Sequence, residues 1–162
     1  MSGARRLLLA LAGLALAGCA QLPQRPADAP FWQGRLALRI ESAPPQLFSA
    51  DFDLSGNAEA GELLLSGPLG QRVAQLRWSP GRAIWQGNGE TRTFDTLDAL
   101  STQLSGTPLP LAALFEWLAG REAAADGWQA DLTQLTEGRL TARRLQPEPV
   151  AELKLIIEPS SR

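Results

Sequence analysis

The sequence predicts a mostly β domain with two inserted helices, its strands forming one long antiparallel sheet that is twisted and curved. Two observations predict it. From Phe31 onward, apolar residues recur at every second position in short runs separated by Gly, Pro, Ser and Asn, the pattern of half-buried strands. Between residues 95 and 120 the spacing becomes helical, so the helices come late in the chain and are expected to lie on the apolar face of the sheet.

Each element has its own warrant. Over 34–41, Leu36, Leu38 and Ile40 point one way and Arg35, Arg39 and Glu41 the other, until Pro44-Pro45 breaks the run. Over 48–54, Phe48, Ala50, Phe52 and Leu54 alternate with Ser49, Asp51 and Asp53. Ser55-Gly56-Asn57 turns the chain into a third strand over 62–66, which Gly67-Pro68-Leu69-Gly70 interrupts. A fourth strand, 72–78, places Ala74, Leu76 and Trp78 opposite Gln75 and Arg77. Ser79-Pro80-Gly81 leads into a fifth over 82–86, and Gly87-Asn88-Gly89 turns the chain again. Leu97, Leu100 and Leu104 then recur at helical spacing, with Asp95 as N-cap and Gly106 as stop. Pro108 and Pro110 open a second helix, whose Leu111, Leu114, Phe115, Trp117 and Leu118 cover a wide arc before Gly120. A helix this apolar around its circumference must be covered on much of its surface. Strand pattern returns over 128–135, 139–145 and 151–157, which makes eight strands in all.

Ahead of this domain, Arg5 and Arg6 precede an apolar run from Leu7 to Leu16, small residues Ala17 and Gly18, and Cys19. That order reads as a lipoprotein signal over 1–18, cleaved before a cysteine that carries lipid. The run is shorter than the roughly 20 apolar residues that a membrane-spanning helix needs. A disulfide within the chain is excluded because Cys19 is the only cysteine. Two or three acyl chains, at ~0.8 kcal/mol per buried CH2, make a lasting anchor where one would not. Ala20 stands where an aspartate would, in enteric bacteria, favour the inner membrane, so the expected location is the outer membrane. Residues 19–30, rich in proline, read as a tether, and 31–162 as a single domain.

Composition removes several function classes. Without residues 1–18 the chain keeps 13 basic and 17 acidic residues, and no basic stripe suggests nucleic acid. No histidine is present, which excludes histidine triads and leaves no expectation of a metal site or other cofactor. Asp51, Asp53, Glu59 and Glu62 lie close in sequence, but solvated charge on a strand's polar face accounts for them, and no calcium-loop spacing follows. Ser66-Gly67 and Ser105-Gly106 are turn and cap residues, since no Gly-x-Ser-x-Gly elbow exists. An enzyme is not expected. Five tryptophans and five phenylalanines supply either a filled core or an apolar cavity between sheet and helices, and the pattern alone leaves both open. Leu69, at the tip of a Pro-Gly turn, is either an ordinary exposed leucine or one that enters a bilayer.

Several segments together resemble the LolB family of outer-membrane lipoproteins. They are the cysteine signal and tether, Phe31-Trp32-Gln33-Gly34-Arg35-Leu36-Ala37-Leu38, Gly61-Glu62-Leu63-Leu64-Leu65-Ser66-Gly67-Pro68-Leu69-Gly70, Leu104-Ser105-Gly106-Thr107-Pro108-Leu109-Pro110-Leu111 and Trp117-Leu118-Ala119-Gly120. The resemblance implies an incomplete antiparallel β-barrel closed by a helical lid over an apolar cavity. It also implies a receptor, facing the periplasm, that takes acylated lipoproteins from the carrier LolA and inserts them into the inner leaflet of the outer membrane. The family's exposed leucine matches Leu69, held between Pro68 and Gly70. Ser66-Gly67 stand where the family carries Asn before the proline, and Pro44-Pro45 suggests a short second strand pair. Phe48, Phe52, Trp78, Trp117 and Leu118 are expected in the cavity or its lid, on their pattern positions. The protein is expected to act as a monomer. The alternative from a different class is a lipid-anchored β-sheet scaffold with a filled core; a lipid-anchored hydrolase lacks the residues.

Overall fold

The computed structural model describes residues 29–159, so the signal, Cys19 and most of the tether lie outside the described residues. Nine strands and two helices follow in the order β1 (Phe31–Ile40), β2 (Gln46–Gly56), β3 (Gly61–Ser66), β4 (Arg72–Ser79), β5 (Arg82–Gly87), β6 (Glu90–Phe94), α1 (Leu97–Ser105), α2 (Leu111–Leu118), β7 (Trp128–Asp131), β8 (Arg139–Arg144) and β9 (Ala151–Ile157). All strands join one antiparallel sheet in the order β6-β5-β4-β3-β2-β1-β9-β8-β7. The sheet is not closed, and β6 and β7 are its edges.

Strand β1 organises the sheet. It pairs with β2 from Phe31–Ser55 to Ile40–Gln46 and with β9 from Gly34–Ile157 to Ile40–Ala151. Gly34 permits the second pairing, because a Cβ there would overlap the Ile156 carbonyl oxygen. Alternation sorts the side chains. Ile40, Phe52, Leu54, Leu76, Trp78, Leu140, Leu153 and Leu155 are buried on the helix-facing side. The other side carries cross-strand ion pairs, Arg35 with Asp51 at 2.9 Å and Arg143 with Glu152 at 2.6 Å. Exposed pairs of this kind contribute at most about 1 kcal/mol each, so burial on the apolar side decides the register.

The helices are held by different means. In α1 the Thr96 hydroxyl, not Asp95, accepts from the Ala99 N–H at 3.1 Å, and Gly106 closes the helix at φ 72°. Helix α2 ends with the Gly120 N–H on the Trp117 carbonyl and the Arg121 N–H on that of Glu116, both 2.9 Å, the two bonds of a Schellman cap. Its Phe115 ring lies 5.8 Å from Trp32 and 6.0 Å from Trp78 between ring centroids. Those two tryptophans come from β1 and β4, so one aromatic side chain locks α2 across the sheet. Two indole N–H groups are bonded nearby: Trp78 donates to the Asn57 carbonyl at 2.9 Å and Trp117 to that of Ala123 at 3.1 Å.

Three further expectations need correction. A ninth strand, β6, follows the Gly87-Asn88-Gly89 turn; it is an exposed edge whose Glu90 and Arg92 pair with each other at 2.8 Å, so no apolar alternation marked it. The strand expected over 128–135 stops at Asp131 and gives way to a short 3-10 turn, Leu135–Glu137. Pro44-Pro45 does not shorten the second strand pair, because β2 begins immediately after it and pairs along all of β1.

Hairpin loops alternate between the two ends of the sheet. Loops 57–60, 80–81 and 132–138 lie at the end where the chain enters β1, here the proximal end. Loops 41–45, 67–71, 88–89 and 145–150 lie at the distal end. The aromatic lock sits toward the proximal end, since Trp32 pairs with Leu54 and Trp78 with Gly61. Replacing Phe115 by Ala is expected to cost about 3–5 kcal/mol in urea unfolding, the range for removing a buried ring from a tight core. A loss below about 1 kcal/mol would contradict its role as the lock.

Candidate functional site

Between the apolar face and the two helices lies a pocket of about 660 Å3, within the ~300–1,000 Å3 range of small-molecule sites. Leu36, Leu38 and Ile40 of β1 and Leu153 and Leu155 of β9 line the sheet side, and Leu111, Leu114 and Leu118 line the helix side. The spacing 111, 114, 118 is one face of α2; Phe115 at its border meets Trp32 and Trp78, and Trp117 turns away toward Ala123 and Trp128. That division explains why α2 is apolar over so wide an arc.

No ionisable side chain lines the pocket. Its hydroxyls are occupied within the protein. Ser101 Oγ donates to the Asp98 carbonyl at 3.0 Å and accepts from the Leu109 N–H at 3.2 Å. Ser105 Oγ lies 2.8 Å from the Ser101 carbonyl and 2.7 Å from that of Thr107. These serines brace the α1–α2 connection and offer little to a ligand. Carboxylates with lowered pKa values are elsewhere: Glu116 is held down by the hydrogen bond from Arg121, Asp131 by the Thr133 hydroxyl, and Glu152 by Lys154 and Arg143.

Of the residues singled out from the sequence, Phe52 is buried in the pocket wall, Leu118 faces it from α2, and Phe48 stands at its distal edge, 39% exposed. Trp78 and Trp117 are not in the wall. Trp78 belongs to the aromatic lock, and Trp117, 1% exposed, lies beside Ala123 and Trp128 beyond α2. Sequence reasoning passed over Leu47, Trp85 and Leu104 as wall residues. Leu104 was legible through its helical spacing, and Trp85 through its place on a strand; Leu47 was not, because it shares the side of Ser49 and Asp51.

The β3–β4 loop holds Pro68, Leu69 and Gly70 at the distal end. The Gly70 N–H donates to the Gly67 carbonyl and the Gly67 N–H to that of Gln71, both at 2.9 Å. Gly70 takes φ 75°, a left-handed value that costs glycine little. The Gln71 side chain accepts from the Leu69 N–H at 3.1 Å. Leu69 itself is 92% exposed, so the loop is internally bonded with its apolar tip outward. The four carboxylates 51, 53, 59 and 62 do not converge: Asp51 pairs with Arg35, and Glu62 accepts from Gln75.

Comparison with known proteins gives one family. The model described as outer membrane lipoprotein LolB matches residues 31–151. The protein of Bordetella petrii named outer-membrane lipoprotein LolB is 31% identical over 161 residues, 82% of this chain and 81% of that protein. The one so named in Chromobacterium violaceum is 34% identical over 128 residues, 74% of this chain and 69% of its own. The one from Bordetella pertussis is 32% identical over 154 residues, 79% and 75%. Among the described residues no helix is long and apolar enough to cross a membrane. With the match spanning most of the domain, strand β1 through the start of β9, the chain belongs to the LolB family of outer-membrane lipoproteins.

Proposed function

We propose that this protein is an acyl-chain receptor at the outer membrane: it accepts acylated lipoproteins from a LolA-type periplasmic carrier and inserts them into the inner leaflet. The pocket carries the reading. It is roomy, its wall holds no charge, and its hydroxyls are already bonded. Helices α1 and α2 act as the lid over it, and the open sheet is the incomplete barrel beneath. Cys19 is the site of lipid attachment, and the lipid holds the domain beside the bilayer. The scaffold alternative calls for a filled core, and a pocket of about 660 Å3 weighs against it.

Transfer then needs only a descending series of affinities. An acyl chain in water is disfavoured by ~0.8 kcal/mol per CH2 relative to an apolar site, so it passes directly from one pocket to the next. The receiver must hold the chain more strongly than the carrier does, and the bilayer more strongly again. Leu69, projecting from its braced loop between Pro68 and Gly70, is the tip that enters the membrane at release.

Placing a charge in the wall tests the pocket. Leu38→Glu is expected to weaken capture of a fluorescent fatty-acyl probe by about tenfold or more, because a carboxylate there must be desolvated against the chain. Capture by the parent protein is expected to stay level between about pH 5 and 8, since no wall residue titrates and the chain lacks histidine. Glu152, whose folded pKa lies below its ordinary 4.5, stabilises the fold above that value and stops doing so as pH falls through the lowered one. Any acid sensitivity is therefore expected in unfolding curves at lower pH. Undiminished capture by Leu38→Glu would remove the pocket from the mechanism. Leu69→Glu is expected to keep probe capture at the parental level and slow delivery of bound lipoprotein into liposomes; equal delivery would rule out the insertion role.

A further inference from the structure

The exposed apolar residues of this domain are concentrated at one end. Leu47 is 79% exposed, Phe48 39%, Leu69 92% and Leu145 64%, and all four lie at or beside the distal loops. The other two exposed large hydrophobics are Leu104, at the end of α1, and Ile156, on the outer side of β9. The proximal loops carry none among the described residues. One exposed leucine needs no explanation, but four large apolar residues gathered at one end of the sheet do.

We propose that the whole distal end is a bilayer-docking rim, in which Leu47, Phe48 and Leu145 enter the lipid interface together with Leu69. This rests on the receptor reading above and extends it from one residue to a surface. Three observations fit a bilayer as the occupant. Loops 41–45, 67–71, 88–89 and 145–150 contain no Lys or Arg, and their charged residues are Glu41, paired with Arg39 at 3.7 Å, and Glu148. Part of their backbone is bonded within the rim: besides the Leu69 loop, the Glu41 N–H donates to the Val150 carbonyl at 2.8 Å, tying two loops together. Each such bond leaves one N–H group fewer to strand in a medium poor in hydrogen-bond partners. Finally, the pocket wall reaches this end through Pro45, Gln46, Phe48 and Asn88, so a docked rim would bring the pocket's distal edge against the lipid.

Chain length permits the orientation. The chain enters β1 at the proximal end, yet Cys19 stands twelve residues before Phe31, a reach of about 40 Å at ~3.3–3.6 Å per residue. Strand β1 spans only about 30 Å at ~3.3 Å per residue. A lipid on Cys19 therefore still lets the far end of the sheet rest on the same bilayer.

With Cys19 occupied by lipid, one introduced cysteine is the only free thiol in the full-length lipidated protein. Leu47→Cys, Leu145→Cys and, as proximal control, Glu59→Cys are labelled with an environment-sensitive fluorophore in phosphatidylcholine vesicles. Labels at 47 and 145 are expected to be quenched several-fold more by a nitroxide-bearing lipid than the label at 59, and less by aqueous iodide. Equal iodide quenching at all three positions overturns the rim. Gln71→Cys reports on the same end if a leucine variant fails to fold. Capture of an acyl probe by the unlabelled parent tests the receptor reading separately, so labels in water with capture intact reject the rim alone.

Discussion

The packing of Phe115 between Trp32 and Trp78 is the contact on which the rest of this architecture depends. An open sheet has one apolar face and no second sheet to cover it. Helix α2 supplies the cover, but a helix of eight residues has little stability of its own and holds its place only through tertiary packing. The lock fixes it at the proximal end, and the Trp78 N–H within it is bonded to the Asn57 carbonyl so that burying that ring strands no donor. Away from the lock, Leu111, Leu114 and Leu118 stand off from β1 and β9, and the pocket is the space left between.

This arrangement separates two demands that the proposed receptor function places on one core. Stability requires close packing, whereas a binding cavity requires its absence. Trp32, Trp78 and Phe115 concentrate the packing at one place, and a wall made mostly of leucines, with Phe48, Phe52 and Trp85, surrounds the space beside it. The serines of α1 contribute to the same division, since their hydroxyls fix the α1–α2 connection and present no unpaired polar atom to an acyl chain. Neither station of the proposed transfer requires energy input, because the free energy resides in where the chain is least exposed to water.

Much of this was legible along the chain, and the failures have physical causes. Alternation located eight strands because their two sides differ in polarity. It passed over β6 because an edge strand bearing Glu90 and Arg92 has no such difference. Helix spacing located both helices, but Thr96 rather than Asp95 caps α1, a choice of one residue that depends on local dihedrals. Period two placed Trp78 on the correct side of its strand without saying whether it met the pocket or the lock. That depends on position along the strand relative to α2, which is tertiary information. Leu47 was hidden by parity: β2 runs beyond the last residue paired with β3, Asp51, and in that stretch both Leu47 and Phe48 reach the wall. Leu69 was the opposite case, since a leucine between proline and glycine in a turn has little choice but to project.

If the space beneath α1 and α2 holds acyl chains, Trp85 is placed to report it. Of the five tryptophans only Trp85 belongs to the pocket wall. A lipid whose acyl chain carries bromine near its middle should quench the intrinsic fluorescence on binding, and Trp85→Phe should abolish most of that quenching while binding persists. Saturable binding with no quenching, or quenching unchanged in the Trp85→Phe variant, would place the chain elsewhere and contradict the account.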